Sequence, residues 1–159
     1  MTVLSSDEIN LDQLSSQYKK IILKCPFPNC NTKIIQYSST KLKSQDIENA
    51  PKCIGIQNYP QIKEPKLSTS TSKFYQINDV WEFDNIGVSR PTEIQKEPIL
   101  LKVDGEEEEE IQINIERLLI CSECDRGSLG FAGIEYGKDN DHKNLNYFLS
   151  QNSVLYEYE

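Results

Sequence analysis

Apolar residues along this chain recur mostly at every second position, the repeat of a strand with one buried face. The clearest case is Ile111, Ile113 and Ile115, alternating with Gln112, Asn114 and Glu116 and running on through Leu118-Leu119-Ile120 to Cys121. Residues 99–103 form a strand before it, and Asp104-Gly105 has the composition of a hairpin turn. Ile21-Ile22-Leu23 is a short buried strand leading into Cys25, and residues 33–37 are its return strand. Tyr75, Ile77, Trp81 and Phe83 share one parity, with Glu82 and Asp84 opposite. From Phe74 the pattern therefore predicts a further strand, ended by Gly87 and Pro91, with Trp81 and Ile86 in the core. Leu145, Tyr147 and Leu149, then Val154, Tyr156 and Tyr158, give two more strands. No stretch of ten residues has a convincing helical period, so the expected class is mostly β.

Between these elements the chain is polar. Residues 1–19 are rich in Ser, Asp, Glu and Gln and read as a disordered tail before a single β domain over 20–159. Residues 38–73 contain Pro51, Pro60 and Pro65 and the run Ser68-Thr69-Ser70-Thr71-Ser72, the composition of a long flexible loop. Residues 104–110 carry five consecutive glutamates, Glu106 to Glu110, and read as a second solvated loop.

Composition narrows the function. A net charge of -8 and a pI near 4.8 oppose a nucleic-acid surface, which needs clustered Lys and Arg, and favour a protein partner with a basic or mixed patch. The first ten residues lack the apolar run of a signal peptide, and no stretch is long and apolar enough to span a bilayer. The expected location is cytoplasmic.

In such a reducing compartment the five cysteines read as metal ligands before disulfides. Cys25 and Cys30 are spaced C-x4-C, and Cys121 and Cys124 C-x2-C, each pair in a turn directly after an apolar strand. Two such pairs let four thiolates converge on one tetrahedral zinc ion at about 2.3 Å, and backbone N–H groups in the turns can disperse their charge. Fingers and ribbons close over roughly 12–20 residues; here about 90 intervene, so the ion would staple distant parts of the chain. A closed thiolate shell leaves no position for water, which makes the site structural. A redox C-x2-C would need a helix N-terminus in a βαβ setting, which this sequence does not offer. Cys53 has no partner in sequence and reads as a bystander, and His142 lies in a solvated turn, Asp139-Asn140-Asp141-His142-Lys143. No nucleophile elbow, phosphate loop or H-x-E motif is present, so no enzyme is expected. The segment Glu82-Phe83-Asp84-Asn85 reads equally as a core strand with a solvated acidic face or as a protein-binding edge.

Three stretches resemble a known family. Cys25-x4-Cys30, the run Val80-Trp81-Glu82-Phe83-Asp84-Asn85-Ile86-Gly87-Val88-Ser89-Arg90, and Leu118-Leu119-Ile120-Cys121-Ser122-Glu123-Cys124-Asp125-Arg126-Gly127-Ser128-Leu129-Gly130-Phe131 together resemble the Rab-interacting factors, zinc proteins that suppress a yeast secretory Rab defect, in their fungal branch. The resemblance covers roughly residues 20–158. It implies a zinc-stapled β-tent of antiparallel sheets with long loop insertions, one zinc ion on Cys25, Cys30, Cys121 and Cys124, and binding to nucleotide-free Rab-type GTPases of the secretory pathway. Slow release of GDP or GTP, as exchange factor or holding chaperone in vesicular transport, is implied with it, without covalent chemistry. Carried over by position, the GTPase-facing residues are Glu82, Phe83, Asp84 and Asn85, with Glu123 and Asp125 beside the second pair. Glu123 stands where the family usually has Asp, and Gly127-Ser128-Leu129-Gly130 replaces its G-P-I-G. The protein is expected to act as a monomer without inserting in a membrane. Two other readings stay open: a zinc-stapled adaptor without effect on nucleotide, and a methionine sulfoxide reductase, which would need Cys53 as a reactive thiol.

Overall fold

Alternating apolar positions need a second surface to bury them, and in this chain antiparallel strands supply it from both sides. The structure, a computed structural model, describes residues 2–5, 13, 20–27, 30–38, 40–47, 50–55, 66–68, 73–77, 79–88, 98–103, 109–137 and 144–158. The first strands are β1 (Thr2–Ser5), β2 (Ile21–Lys24), β3 (Lys33–Gln36) and β4 (Lys43–Asp46). After them come β5 (Cys53–Gly55), β6 (Lys66–Ser68), β7 (Lys73–Ile77), β8 (Ile86–Val88) and β9 (Ile99–Val103). The chain ends in β10 (Glu109–Cys121), β11 (Gly127–Glu135), β12 (Leu145–Ser150) and β13 (Leu155–Tyr158). The expected mostly β class is what the structure has.

Among the described residues three antiparallel sheets result. A four-stranded sheet has the order β1-β13-β2-β3. The large sheet has the order β4-β7-β12-β11-β10-β8, with β9 also paired to β10, and β5 and β6 form a small pair. The large sheet is apolar on both faces. Tyr75, Ile77, Ala132, Tyr147 and Leu149 join Leu23, Ile34 and Tyr156 of the smaller sheet in one core. Phe74, Phe131 and Phe148 lie on the other face with Ile47, Cys53, Ile99, Ile113 and Ile115.

β10 contributes to both cores because it is bulged. Its register against β11 shifts between Ile115 and Arg117, and such an extra residue exchanges the faces that follow it. Ile113 and Ile115 therefore face the phenylalanine core, while Leu119 and Cys121 face the other. The bulge is what turns Cys121 inward.

Several expectations are corrected. Residues 38–73 are not one long loop: β4, β5 and β6 lie in them, and Ile47, Cys53 and Ile54 are buried. Buried residues of this segment serve both cores: Ile47 and Cys53 lie on the phenylalanine face, and Leu42 and Ile54 join the first core. The tail over 1–19 is not disordered throughout, since β1 pairs with β13 from Thr2 opposite Tyr158 to Ser5 opposite Leu155. Glu109 and Glu110 belong to β10 and pair with Val103 and Lys102, so the connection is 104–108 and not a two-residue turn; those connecting residues lie outside the described ones. The strand expected from Phe74 onward ends at Ile77, and Val80–Glu82 is a 3-10 turn that leaves Trp81 89% exposed instead of in the core. Ile86 is half-buried and packs against the first core.

Candidate metal centre and the surface beside it

Cys25 directly follows β2 and Cys121 ends β10, so each knuckle begins where a ladder delivers it to the same end of the first core. Both knuckles are then built alike. In the first, the Cys25 N–H donates to the Thr32 carbonyl (2.9 Å), the Cys30 N–H donates to that of Phe27 (3.2 Å), and the Asn31 amide donates to the Cys25 carbonyl (3.0 Å). In the second, the Cys121 N–H donates to the Arg126 carbonyl (3.0 Å) and the Asp125 N–H to the Cys121 carbonyl (2.8 Å). The residue after each second cysteine is left-handed, Asn31 at φ 49° and Asp125 at φ 56°. Asn and Asp tolerate that region better than other non-glycine residues. A Cys-Asn and a Cys-Asp step in matching places was a sequence signal of this pairing.

The four sulfur atoms lie within 4.8 Å of one another. Across the knuckles Cys25 Sγ is 3.8 Å from Cys124 Sγ, and Cys30 Sγ is 3.7 Å from Cys121 Sγ. A tetrahedron with metal–sulfur bonds of about 2.3 Å has edges of about 3.8 Å, so the donor set fits a zinc-sized ion. Burial pushes the Cys25 thiol far above its ordinary range, against a hydrogen bond from the Phe27 N–H. Cys121 is raised too, mainly by burial, although the backbone N–H groups of Cys124 and Glu123 reach its sulfur and oppose it. At Cys30 burial is outweighed by the Thr32 N–H and the neighbouring thiols, and the thiol falls below its ordinary value. N–H groups thus point at sulfur in both knuckles. A bound cation would supply the charge that makes crowded, desolvated thiolates tolerable. Over the first knuckle the Arg126 guanidinium lies 5.5 Å from the centre of the Phe27 ring.

Cys53 stands apart. It is fully buried in the second core, its thiol donates to the Pro51 carbonyl at 3.5 Å, and burial pushes it up to about 12. Cys53 is not among the four cysteines that meet, and a thiol so desolvated is a poor nucleophile near neutral pH, which speaks against the reductase reading. His142 lies outside the described residues.

The segment after β7 is fastened to both knuckles. Asp79 opens the turn: its carboxylate accepts from the Trp81 N–H at 2.9 Å and its carbonyl from the Glu82 N–H at 3.1 Å. Asp at such a start competes with strand pairing for the backbone, which is why the alternation at Trp81 and Phe83 did not become a strand. The Asp84 N–H donates to the Ile34 carbonyl at 2.7 Å. The Asn85 amide donates to Thr32 Oγ1 (3.1 Å) and the Lys33 carbonyl (2.9 Å), and the Asn85 carbonyl accepts from the Ser122 N–H (3.0 Å).

Of the residues expected to face a partner, Asp84, Glu123 and Asp125 are exposed, and Glu82 is half-buried. Phe83 is half-buried, edge-on to Tyr147 with ring centres 6.2 Å apart. Asn85 is half-buried and its amide is used inside the protein. Trp81, read from sequence as core, is instead the largest exposed apolar side chain of the turn.

Two thiol pairs meeting between antiparallel ladders define a class, a β protein with four cysteines placed to hold one metal ion. The family described as Mss4 protein matches residues 20–155. This chain belongs to that family, the Rab-interacting factors its motifs resemble. Protein DSS4 of Saccharomyces cerevisiae (strain ATCC 204508 / S288c) is 25% identical to it over 140 residues, covering 82% of this chain and 92% of its own length. No solved structure matches the chain significantly.

Proposed function

We propose that this protein holds one structural zinc ion on Cys25, Cys30, Cys121 and Cys124 and binds a nucleotide-free Rab-type GTPase of the secretory pathway, promoting release of GDP or GTP. The observation that carries the reading is the hydrogen bonding of Asp84 to β3 and of Asn85 to both knuckles, next to a turn that leaves Trp81 exposed. An exposed indole rimmed by carboxylates has the make-up of an interface anchor. The partner face comprises Trp81, Glu82, Phe83 and Asp84, with Glu123 and Asp125 on the second knuckle, and Asn85 acts by holding them in place.

Zinc here supplies rigidity, not a Lewis acid. No bond is made or broken by the protein. Affinity for nucleotide and affinity for the partner are linked through the GTPase, so a protein that binds its nucleotide-free form lowers nucleotide affinity by the same factor. The setting is cytoplasmic vesicular transport, with the protein acting as a monomer.

Labelled-GDP release from a panel of Rab GTPases tests this reading and separates it from an adaptor that binds without effect on nucleotide. Wild type should accelerate release from at least one member. Trp81→Ala should keep its fold within about 0.5 kcal/mol, as an exposed position does, yet weaken the complex roughly 30-fold or more, the scale of an interface anchor. If a zinc-loaded Asp84→Lys plus Glu123→Lys variant releases nucleotide as well as wild type, the surface is wrongly placed.

A further inference from the structure

Two carboxylates of the proposed partner face, Glu82 and Asp84, are already engaged within the chain. Lys33 Nζ lies 3.2 Å from Asp84 Oδ2, and Lys41 Nζ lies 3.1 Å from Glu82 Oε2. Both pairs are anchored through their backbones. Lys33 gives its carbonyl to the Asn85 amide, next to Asp84, whose own N–H reaches Ile34 beside Lys33. Lys41 sits in a turn closed by bonds from Lys41 and Leu42 to the Ser38 carbonyl, while Glu82 is tied to Asp79. The lysines are thus placed by the fold and not by rotamer choice alone.

The geometry points to Lys33 and Lys41 as built-in competitors: they occupy Asp84 and Glu82 until a cation of the GTPase displaces them. This rests on the proposed function, since it concerns the same face. Exposed ion pairs of this kind hold weakly. The side chains are open to solvent, at 39% and 49% for Lys33 and Asp84 and 58% and 35% for Lys41 and Glu82. They can therefore exchange partners quickly. While they hold, they cancel part of the field that draws a basic partner in, and an acidic chain of net charge -8 presents a mixed stripe where an acidic one would otherwise be. A partner gains from this stripe only if it brings a cation that binds the carboxylates better than an ammonium does, such as the forked guanidinium of arginine. Lys33 and Lys41 then set selectivity and association rate.

Association of the zinc-loaded protein with a nucleotide-free GTPase, followed by stopped flow across a salt series, tests the assignment. Lys33→Met plus Lys41→Met should associate roughly three- to tenfold faster at low salt, with a steeper salt dependence, because rim charges act on the encounter. Lys33→Arg plus Lys41→Arg keeps the latch and should not accelerate. Lys52→Met plus Lys73→Met removes the same charge from exposed lysines that hold neither carboxylate, and should change the rate less than about twofold. A Met pair at 33 and 41 that is no faster than wild type, or no faster than the control pair, overturns the inference alone. A slower one overturns it also, by making the lysines direct contacts. Wild type that captures no GTPase in the panel overturns the proposed function, and the inference with it.

Discussion

At Asn85 three hydrogen bonds meet, two from its amide to Thr32 and Lys33 and one from Ser122 to its carbonyl. The sequence could show an amide among carboxylates; it could not show that the amide is turned inward, because its acceptors lie in β3 and on the strand side of the first knuckle. Asn85→Ala leaves a half-buried carbonyl and hydroxyl without their donor, which costs about 1–3 kcal/mol. Urea unfolding of the zinc-loaded variant should show that loss with one zinc per chain retained. Loss of the metal as well would mean that Asn85 assembles the knuckles, not only the turn. Cys53 shows how burial sets reactivity: its thiol stays neutral up to about 12 in the folded chain against 9.0 when unfolded. A raised pKa of this kind stabilises fully below the lower value, and the contribution is lost as pH climbs toward the upper one.

β11 is another element that sequence pattern missed. Gly127, Gly130 and Gly133 lower its strand propensity, yet it lies between β10 and β12 with nearly every residue buried. A Cβ at position 130 would come within 2.0 Å of the Phe148 carbonyl oxygen, and one at 133 within 2.6 Å of that of Asn114. Glycine is there because the neighbouring backbone leaves no room. Gly130→Ala should therefore separate β11 from β12 and remove several kcal/mol of stability, read as a large drop in thermal midpoint or loss of soluble folded protein. A variant melting within a few degrees of wild type would show that the strands can shift apart cheaply.

Across the whole molecule the four cysteines join the end of β2 to the end of β10 over a separation of 91 residues between Cys30 and Cys121. A metal at that place closes a long loop and brings in the surface turn through Asn85. Removing it with a chelator under reducing conditions should destabilise both cores cooperatively, by more than about 3 kcal/mol given the scale of structural zinc binding. Circular dichroism melting with metal analysis checks this, and Cys121→Ser should reproduce it. An unchanged melting curve after complete metal loss would show that the ladders alone hold the knuckles together.

The sequence by itself determined the class of fold and which four cysteines meet. Period-two alternation is a local property of a half-buried strand, and closely spaced cysteine pairs are a local property of a knuckle. The family, too, was legible in short runs around those knuckles. Tertiary structure alone decided the rest. The bulge near Glu116 turns Cys121 into the first core, the backbones of β10 and β12 demand glycine in β11, and Ile47 and Cys53 cover the phenylalanine face. At Trp81 the alternation pointed inward, but Asp79 captures the backbone as a turn and leaves the ring outside. Asp79 and Trp81 are only two residues apart, but the bulge and the glycine positions depend on atoms brought together from distant parts of the chain.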